Sequence, residues 1–195
     1  MDQYVVACRR RGKEWADRHF RPVGRGPEPD KILDIVEADH SRAHVAVIDD
    51  VSGVNLGRPW VTVALDRYSR LPLAVHVHFD GQSLTAVMQA LRQTMLPKDF
   101  LKELFPDLRL AYGASGVPVA YFFDRGSDFD NDHIVDVGFT FDIRMDYAPV
   151  GCPEFKGRIE RFFRTMHAEV AHPLPGATPP LLVDSNAREG QVNLR

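Results

Sequence analysis

The stretch VPVAYFFDRGSDF, residues 117–129, decides the fold that we predict for this chain. Its first seven residues are a continuous apolar run of strand length, which is typical of a strand buried on both faces of a sheet. The run ends at Asp124, and Gly126 then allows the chain to turn. Because ligands in open α/β sheets gather at the carboxyl ends of parallel strands, the stretch predicts an interior strand that ends in a carboxylate at a binding site.

The sequence around this strand predicts a mixed sheet. Four short runs before it are rich in β-branched residues, are separated by turn residues and indicate an antiparallel meander. These runs are ILDIVEAD (32–39), HVAVID (44–49), PWVTVALD (59–66) and LPLAVHVHF (71–79). After the interior strand, FTFDIRMDY (139–147) predicts one more strand.

A helical spacing of apolar residues predicts the helices that cover this sheet. Residues 82–96 have such a spacing, with Ser83 as the N-cap, and so do residues 154–170. Shorter helices are predicted over 98–105 and 131–138. Meander strands followed by β-α units predict the α/β class, with a mixed central β-sheet (an antiparallel meander plus parallel strands) flanked by α-helices.

Composition limits the setting of the protein. The 195 residues suffice for one domain with a core, and a formal net charge of −3 gives no sign of a broad basic surface. No apolar run approaches the roughly 20 residues of a membrane span. Cys8 and Cys152 have no metal-binding spacing and predict free thiols in a reducing compartment. We therefore expect a cytoplasmic protein with no membrane partner.

Three parts follow from the change in composition along the chain. Residues 1–30 are polar and basic and include the Gly/Pro-rich stretch RPVGRGPEPD, which is typical of a linker or arm. Residues 31–172 contain the predicted sheet and helices. Residues 173–195 begin with PLPGATPP and predict a polar tail.

Three acids occupy special places in this layout. Asp39 ends the first predicted strand, Asp124 ends the interior strand, and Glu160 lies on the last helix with 35 residues between it and Asp124. At 100° per residue, the apolar stripe of that helix centres about 110° from Glu160. Glu160 is therefore expected on the border between the core face and solvent, from which it can reach over the sheet.

The order and spacing of these acids resemble the DDE family, which comprises retroviral-type integrases and transposases with a ribonuclease H-like fold. The matching features are an Asp on the first strand, an Asp followed by x-G-[ST]-[DE]-F, and a Glu in K-G-x-[IV]-E-R. More closely, VEADHSRAHVAVID, GRPWVTVALDRYSRLPLA, DRGSDF and GRIERFFRTMHAEV resemble bacterial transposases related to phage Mu transposase. The resemblance covers roughly residues 32–176.

The resemblance implies a metal-dependent reaction that cleaves DNA strands and transfers them to a target. Asp39 would bridge two Mg²⁺ or Mn²⁺ ions, Asp124 would bind one ion and Glu160 the other, so these are the expected catalytic and metal-binding residues. Two such ions, about 3.5–4 Å apart, stabilise the attacking and leaving oxygens, and Mg²⁺ prefers hard oxygen ligands. The implied partners are DNA, both element ends and target, and other copies of the chain in a homo-oligomer assembled on DNA.

Basic residues surround Glu160 on the last helix. Lys156, Arg164 and His167 fall within about 40° of it on the helical wheel. These side chains could form an ordinary solvated helix face, but beside a catalytic Glu we expect them to contact DNA phosphates.

Other polar residues have simpler interpretations. Asp66 also ends a predicted strand, but it lies outside the three-acid pattern and is expected to be structural. His76 and His78 share one strand face and could bind zinc, but no cysteine or third histidine accompanies them, which favours a packed or solvated face.

Two alternative functions stay open. One is a ribonuclease H-like metal nuclease that acts on other nucleic acids. The other is an inactive truncated core that only binds or co-assembles with a full-length transposase. Related full-length transposases carry helical DNA-end-binding domains before the core and a β-barrel after it, whereas about 30 residues precede the predicted core and about 20 follow it. We therefore expect an excised core or a truncated gene product.

Overall fold

Seven strands form two sheets in the part of the chain that the computed structural model describes, namely residues 3–13, 15–16, 28–109, 112–123, 132–148 and 156–177. The strands are β1 (Ile35–Arg42), β2 (Val47–Ile48), β3 (Asn55–Gly57), β4 (Trp60–Asp66), β5 (Pro72–His78), β6 (Ala120–Phe123) and β7 (Arg144–Tyr147). The main sheet has the order β5–β4–β1–β6–β7, and β2 pairs with β3 in a small second sheet.

The main sheet mixes antiparallel and parallel pairs. β1 pairs antiparallel with β4, with Asp39 opposite Val63, and β4 pairs antiparallel with β5. β1 pairs in parallel with β6, with Ala38 opposite Phe123, and β6 pairs in parallel with β7. Every residue of β6 is buried. The predicted α/β class, the meander joined to parallel strands and the doubly buried interior strand are therefore confirmed.

Helices follow the strands largely where the spacing of apolar residues predicts them. They are α1 (Gln3–Arg11), α2 (Leu84–Met95), α3 (Phe100–Leu104), α4 (Asp132–Phe141) and α5 (Gly157–Met166), which continues into a π-helical turn (His167–Ala171). The predicted N-cap of α2 is confirmed, since the Ser83 hydroxyl accepts a hydrogen bond from the Ala86 N–H at 3.3 Å. Among the described residues, every helix is too short or too polar to cross a lipid bilayer.

Two apolar clusters hold the helices against opposite faces of the main sheet. Ala64 belongs to the cluster that includes Val87 and Leu91 of α2 and Ile134 of α4. Its neighbours in β4 belong to the other cluster, in which Val61, Val63 and Leu65 pack against Ile159 and Phe163 of α5. Because successive side chains of a strand point to opposite faces, Asp39, which lies opposite Val63, is on the face that α5 covers.

The first strand extends further than the sequence indicates. Asp39 was expected to end it, but β1 continues to Arg42 because His40, Ser41 and Arg42 pair with Thr62, Val61 and Trp60 of β4. Asp39 therefore lies inside a strand and is paired with Val63 of β4.

The run HVAVID does not join the meander. Only Val47 and Ile48 form a strand, and it pairs with β3 outside the main sheet. Asp49 closes the turn between the two strands, since its carboxylate accepts the Ser52 N–H at 2.9 Å and its carbonyl accepts the Gly53 N–H at 2.8 Å. β4 and β6 occupy both places beside β1, so this run cannot pair next to β1 in the sheet.

The boundary between α4 and β7 also differs from the prediction. The residues FTF, expected to begin a strand, continue α4 to Phe141, and β7 starts only at Arg144. The helix ends through Asp142, which has a positive φ of 54°, and through the Ile143 N–H, which donates to the Gly138 carbonyl at 2.8 Å. A Cβ on residue 138 would lie 2.8 Å from the Ile143 oxygen, so this closure requires glycine.

Several predictions lie on residues outside the described ranges. They concern Asp124, Cys152, the turn after β6, the first residues of the 154–170 helix and most of the tail. Within the segment predicted to be an arm, Gln3–Arg11 form α1.

Candidate active site

Asp39 lies where β1 passes beneath the start of α5. Its side chain is 19% exposed, and the ammonium nitrogen of Lys156 lies 3.6 Å from its Oδ2. Its Oδ1 accepts a hydrogen bond from the His40 N–H at 2.9 Å. The structure therefore brings a predicted metal-binding carboxylate together with a predicted phosphate-contacting lysine.

A small crevice connects these residues to the end of β6. It is lined by Glu37, Ala38, Asp39, Phe122, Phe123, Lys156 and Ile159. Asp124 follows Phe123 directly in the sequence, and Phe123 lies opposite Ala38 in the parallel register. Asp124 itself is outside the described residues.

Glu160 lies in the first turn of α5 and is exposed. It follows Lys156 by four residues, and residues spaced by four lie on one side of a helix. Since Lys156 reaches Asp39, this side of α5 is directed toward Asp39. Arg164 is one further turn along and is exposed as well, so Lys156, Glu160 and Arg164 form one row along α5.

The chemistry of these groups fits a hard divalent cation. Carboxylate oxygens are the ligands that Mg²⁺ prefers, and the Lys156 ammonium already places a positive charge beside Asp39. Among the described residues no three metal-ligating side chains form one cluster. A site of this kind would hold its cation between Asp39, Glu160 and the Asp124 that follows β6.

His167 was expected on the solvent side of the helix with Arg164, where it could contact DNA phosphates. The structure places it in the interior instead. It is 6% exposed, its Nε2 lies 3.1 Å from Ser41 Oγ, and its ring stacks on that of His44 with 3.7 Å between centroids. Burial, followed by the nearby charges of His44, His172 and Arg58, lowers the pKa of His167 to about 4. Its ring therefore serves the packing of the π-helical turn against β1.

A buried ion pair lies beneath the site and was not predicted from the sequence. Glu37, two residues before Asp39 on the same face of β1, is 2% exposed and accepts a hydrogen bond from Arg67 Nε at 2.5 Å. The Arg67 guanidinium lies over the Phe122 ring, 4.6 Å from its centroid. The signal in the sequence is the charge at Glu37 inside the apolar run IVEAD, because a buried charge requires a partner.

A third acid in this region has the structural role that the sequence predicts. Asp66 is fully buried, and its carboxylate accepts the Leu33 N–H at 2.9 Å, the Ser69 N–H at 2.7 Å and the Ser69 hydroxyl at 2.6 Å. It closes the turn after β4, and its expected structural role is confirmed.

His78 is packed inside the fold, and His76 stacks on it. Thr62 Oγ1 lies between His40 Nδ1 at 2.7 Å and His78 Nε2 at 2.9 Å, and all three residues are buried. The ring of His76 stacks on that of His78 with 5.0 Å between centroids. The threonine hydroxyl thus links β1, β4 and β5 across the sheet.

Comparison with known proteins relates this site to one family. The family described as the TnsB C-terminal domain matches residues 37–176. The transposase for transposon Tn552 of Staphylococcus aureus is 29% identical over 149 residues, which are 76% of this chain and 29% of that protein. The Tn7 transposition protein TnsB of Escherichia coli is 25% identical over 144 residues, 72% of this chain and 20% of that protein. The chain therefore spans less than a third of the length of either relative.

A solved structure has the same arrangement of strands and helices. A chain of the simian T-cell lymphotropic virus intasome, in complex with the PP2A regulatory subunit B56 gamma, matches 75% of this chain and 43% of its own length. The TM-score is 0.52 and the sequence identity is 13%, so the likeness concerns the fold alone. It confirms the predicted ribonuclease H-like fold.

Proposed function

Because this chain belongs to the family of TnsB C-terminal domains and is a DDE transposase or integrase core, we propose that it cleaves DNA strands and transfers them to a target DNA. The reaction depends on divalent metal ions, Mg²⁺ or Mn²⁺. The DNA substrates are element ends and target, and the chain works as a homo-oligomer assembled on them.

One observation carries the proposal. Lys156 lies 3.6 Å from Asp39 and one helical turn before Glu160. The start of α5 is thereby held over β1, with Glu160 on the side of the helix that reaches Asp39. Packing of Ile159, which is 2% exposed, against Val61 and Val63 holds the helix in this place.

Asp39, Asp124 and Glu160 would hold two divalent ions. When bound, these ions would stabilise the attacking and the leaving oxygen of the phosphoryl transfer. Asp39 lies within β1 and is paired with Val63 of β4, so the sheet fixes the backbone that carries this carboxylate. Lys156 balances its negative charge before a cation arrives.

The DNA contacts would be made by Lys156, at the start of α5, and by the exposed Arg164. Lys156 and Arg164 flank Glu160 and present positive charge next to the carboxylates. A DNA phosphate that approaches the site would meet these two side chains, which would hold the backbone in register with the reacting atoms.

A strand-transfer assay measures this function directly. The chain would be incubated with Mn²⁺, a labelled duplex that ends in a free 3′-hydroxyl, and a supercoiled plasmid target. We expect both nicked plasmid and labelled joined product, and we expect Asp39→Asn and Glu160→Gln to abolish both. Asp136→Asn is the matched control, since this exposed acid lies on α4, on the opposite face of the sheet.

The outcomes separate the candidate functions. Nicking without joining would favour a metal nuclease over a transposase core. The absence of both products, with Mn²⁺ bound, would favour a core that only binds or co-assembles.

A further inference from the structure

We propose that Arg158 is a positioning residue for Glu160 and that Glu28 and Glu37 hold it in place. The inference rests on the proposed function, since it assumes that Glu160 binds a metal ion. In this role Arg158 binds neither a ligand nor DNA. It fixes the rotation of α5 about its own axis.

Arg158 connects α5 to two acids outside the helix. Its Nη2 donates to both carboxylate oxygens of Glu28, at 2.8 and 2.7 Å. Its Nη1 lies 3.9 Å from Oε1 of Glu37. The Arg158 hydrogen bond, followed by the charge of the guanidinium, lowers the pKa of Glu28. Because Nη2 contacts Glu28 and Nη1 faces Glu37, the two acids together fix the orientation of the planar guanidinium as well as its distance.

Glu37 is a firm anchor for this contact. It is almost fully buried and paired with Arg67, which is itself 2% exposed and stacked over Phe122 of β6. Its second oxygen, Oε2, has no hydrogen-bond partner among the described residues. A buried carboxylate needs compensating positive charge, and Arg67 and Arg158 supply it. Arg158 is thereby connected to the strand that carries Asp39.

The geometry of a helix links Arg158 to Glu160. Two residues correspond to about 200° of rotation, and Ile159, which lies between them, points into the core. Arg158 and Glu160 therefore lie on opposite borders of the buried stripe. If α5 rolled about its axis, Glu160 would move toward or away from Asp39, and the contacts of Arg158 on the other border oppose that roll.

The contact between Lys156 and Asp39 also holds the start of α5, but only while no cation is bound to Asp39. Lys156 lies beside the Asp39 carboxylate, but a cation bound there would compete for the same oxygens. Once Lys156 is displaced, the contacts of Arg158 remain to keep the first turn of α5 in register with β1. The positioning role is therefore needed in the metal-loaded state.

The measurement is the Mn²⁺ affinity of the full chain without DNA, by calorimetry or electron paramagnetic resonance. We expect Arg158→Gln to raise the Kd about tenfold, the lower end of the range for groups that orient metal ligands. Electrostatics alone predicts a lower Kd for Mn²⁺ in this variant, because the loss of a positive charge near the site favours cation binding. Arg161→Gln, which removes an exposed arginine of the same helix, is the matched control and should leave the Kd unchanged or slightly lower.

Two further variants complete the experiment. Arg158→Lys keeps the charge but loses the two separate nitrogens that face Glu28 and Glu37, and we expect an intermediate Kd; it also replaces Arg158→Gln if that variant does not fold. A Kd in both Arg158 variants equal to that of the wild type would overturn the positioning role while leaving the metal site intact. Failure of the wild type to bind Mn²⁺, or wild-type affinity in Asp39→Asn, would overturn the proposed function and the inference with it.

Discussion

At the scale of single residues, charge and burial decide what each polar side chain of the site can do. Asp39 is partly exposed beside Lys156 and can exchange that partner for a cation. Glu37, two residues earlier, is buried against Arg67 and cannot. His167 faces the interior and is held neutral by burial. Neighbouring residues of similar type thus differ in role because their surroundings differ.

Lys156→Met should change metal binding and DNA binding in opposite directions. Without the competing ammonium, we expect Mn²⁺ to bind more tightly by about 0.5–1 kcal/mol, roughly two- to fivefold, because the pair is partly exposed. DNA binding should weaken, and the slope of log K against log salt should fall by about one.

Calorimetry and a salt series of DNA-binding measurements would determine both effects. Lys102→Met, which removes an exposed lysine of α3, is the control and should change neither. Weaker Mn²⁺ binding in Lys156→Met would mean that the lysine supports the site instead of competing for it.

The pKa of His167 predicts a loss of stability at acidic pH. Its folded pKa of about 4 lies below its ordinary value of 6.5, so the unfolded chain binds the proton more readily between these values. Its contribution to stability is therefore present above pH 6.5 and is lost as the pH falls toward 4. Between about pH 7.5 and 5.5 this amounts to about 1.4 kcal/mol.

Urea denaturation at the two pH values measures this contribution. From about pH 7.5 to 5.5, His167→Gln should lose about 1.4 kcal/mol less free energy of unfolding than the wild type. The same substitution at His133, an exposed histidine of α4, serves as control. Equal losses in wild type and His167→Gln would show that His167 is not held neutral.

At the scale of elements, α5 joins the core to the site. One side of it carries Ile159 and Phe163, which pack on β4, and another carries the exposed row that includes Glu160 and Arg164. Stability and function are thereby separated by face, so a substitution on one side of the helix should affect one property without the other.

Ile159→Ala should destabilise the fold by about 3 kcal/mol, since this side chain is 2% exposed and its removal leaves a cavity against β4. Arg164→Ala should change stability by no more than about 0.5 kcal/mol, yet it should lower the affinity for DNA. Denaturation curves and binding isotherms for both variants would check this separation. A destabilised Arg164→Ala protein would show that the exposed row also supports the core.

At the scale of the whole molecule, the order of the strands places the end of β6 beside β1, although the two strands are far apart in sequence. Asp39 lies on the central strand β1, Asp124 follows its parallel neighbour β6, and Glu160 lies on the helix above. The net charge is −3, so the proposed attraction to DNA would depend on Lys156 and Arg164 and on the cations that the proposed site would bind.

Mn²⁺ should stabilise the entire fold by mass action. At a concentration about 100 times the Kd, the gain is about 2.7 kcal/mol, which corresponds to a rise in melting temperature of about 5–10 °C for a chain of this size. Asp39→Asn and Asp124→Asn should lose this rise, whereas Asp136→Asn should keep it. A thermal-shift titration measures it, and an equal response in wild type and Asp124→Asn would remove Asp124 from the site.

Local patterns account for what could be predicted from the sequence. Of the apolar run that ends at Phe123, the last four residues form a buried strand, whereas Val117 and Val119 are exposed; the period of α2 and its Ser83 cap are found as expected. These features depend on neighbours a few residues away, and so does the turn that Asp66 closes with Ser69. The three acids were recognised because their order and spacing resemble a known family.

Contacts between distant segments could not be predicted in this way. Glu37 and Arg67 are 30 residues apart, and Ser41 and His167 are 126 apart. Contacts between residues so far apart in the sequence produce no periodic pattern, because they depend on which segments meet when the whole chain folds. The exclusion of HVAVID from the main sheet is of the same kind, since it depends on β4 taking the place beside β1.

The sequence by itself therefore determined the fold class and the interior strand, because burial patterns and short motifs are local properties. The three carboxylates are a prediction that the resemblance to a known family implies. Only the tertiary structure decided that Lys156 faces Asp39, that His167 is buried and that Arg158 lies beside Glu28 and Glu37. These facts depend on how α5 packs across β1 and β4, and that packing results from the summed contacts of residues about a hundred positions apart.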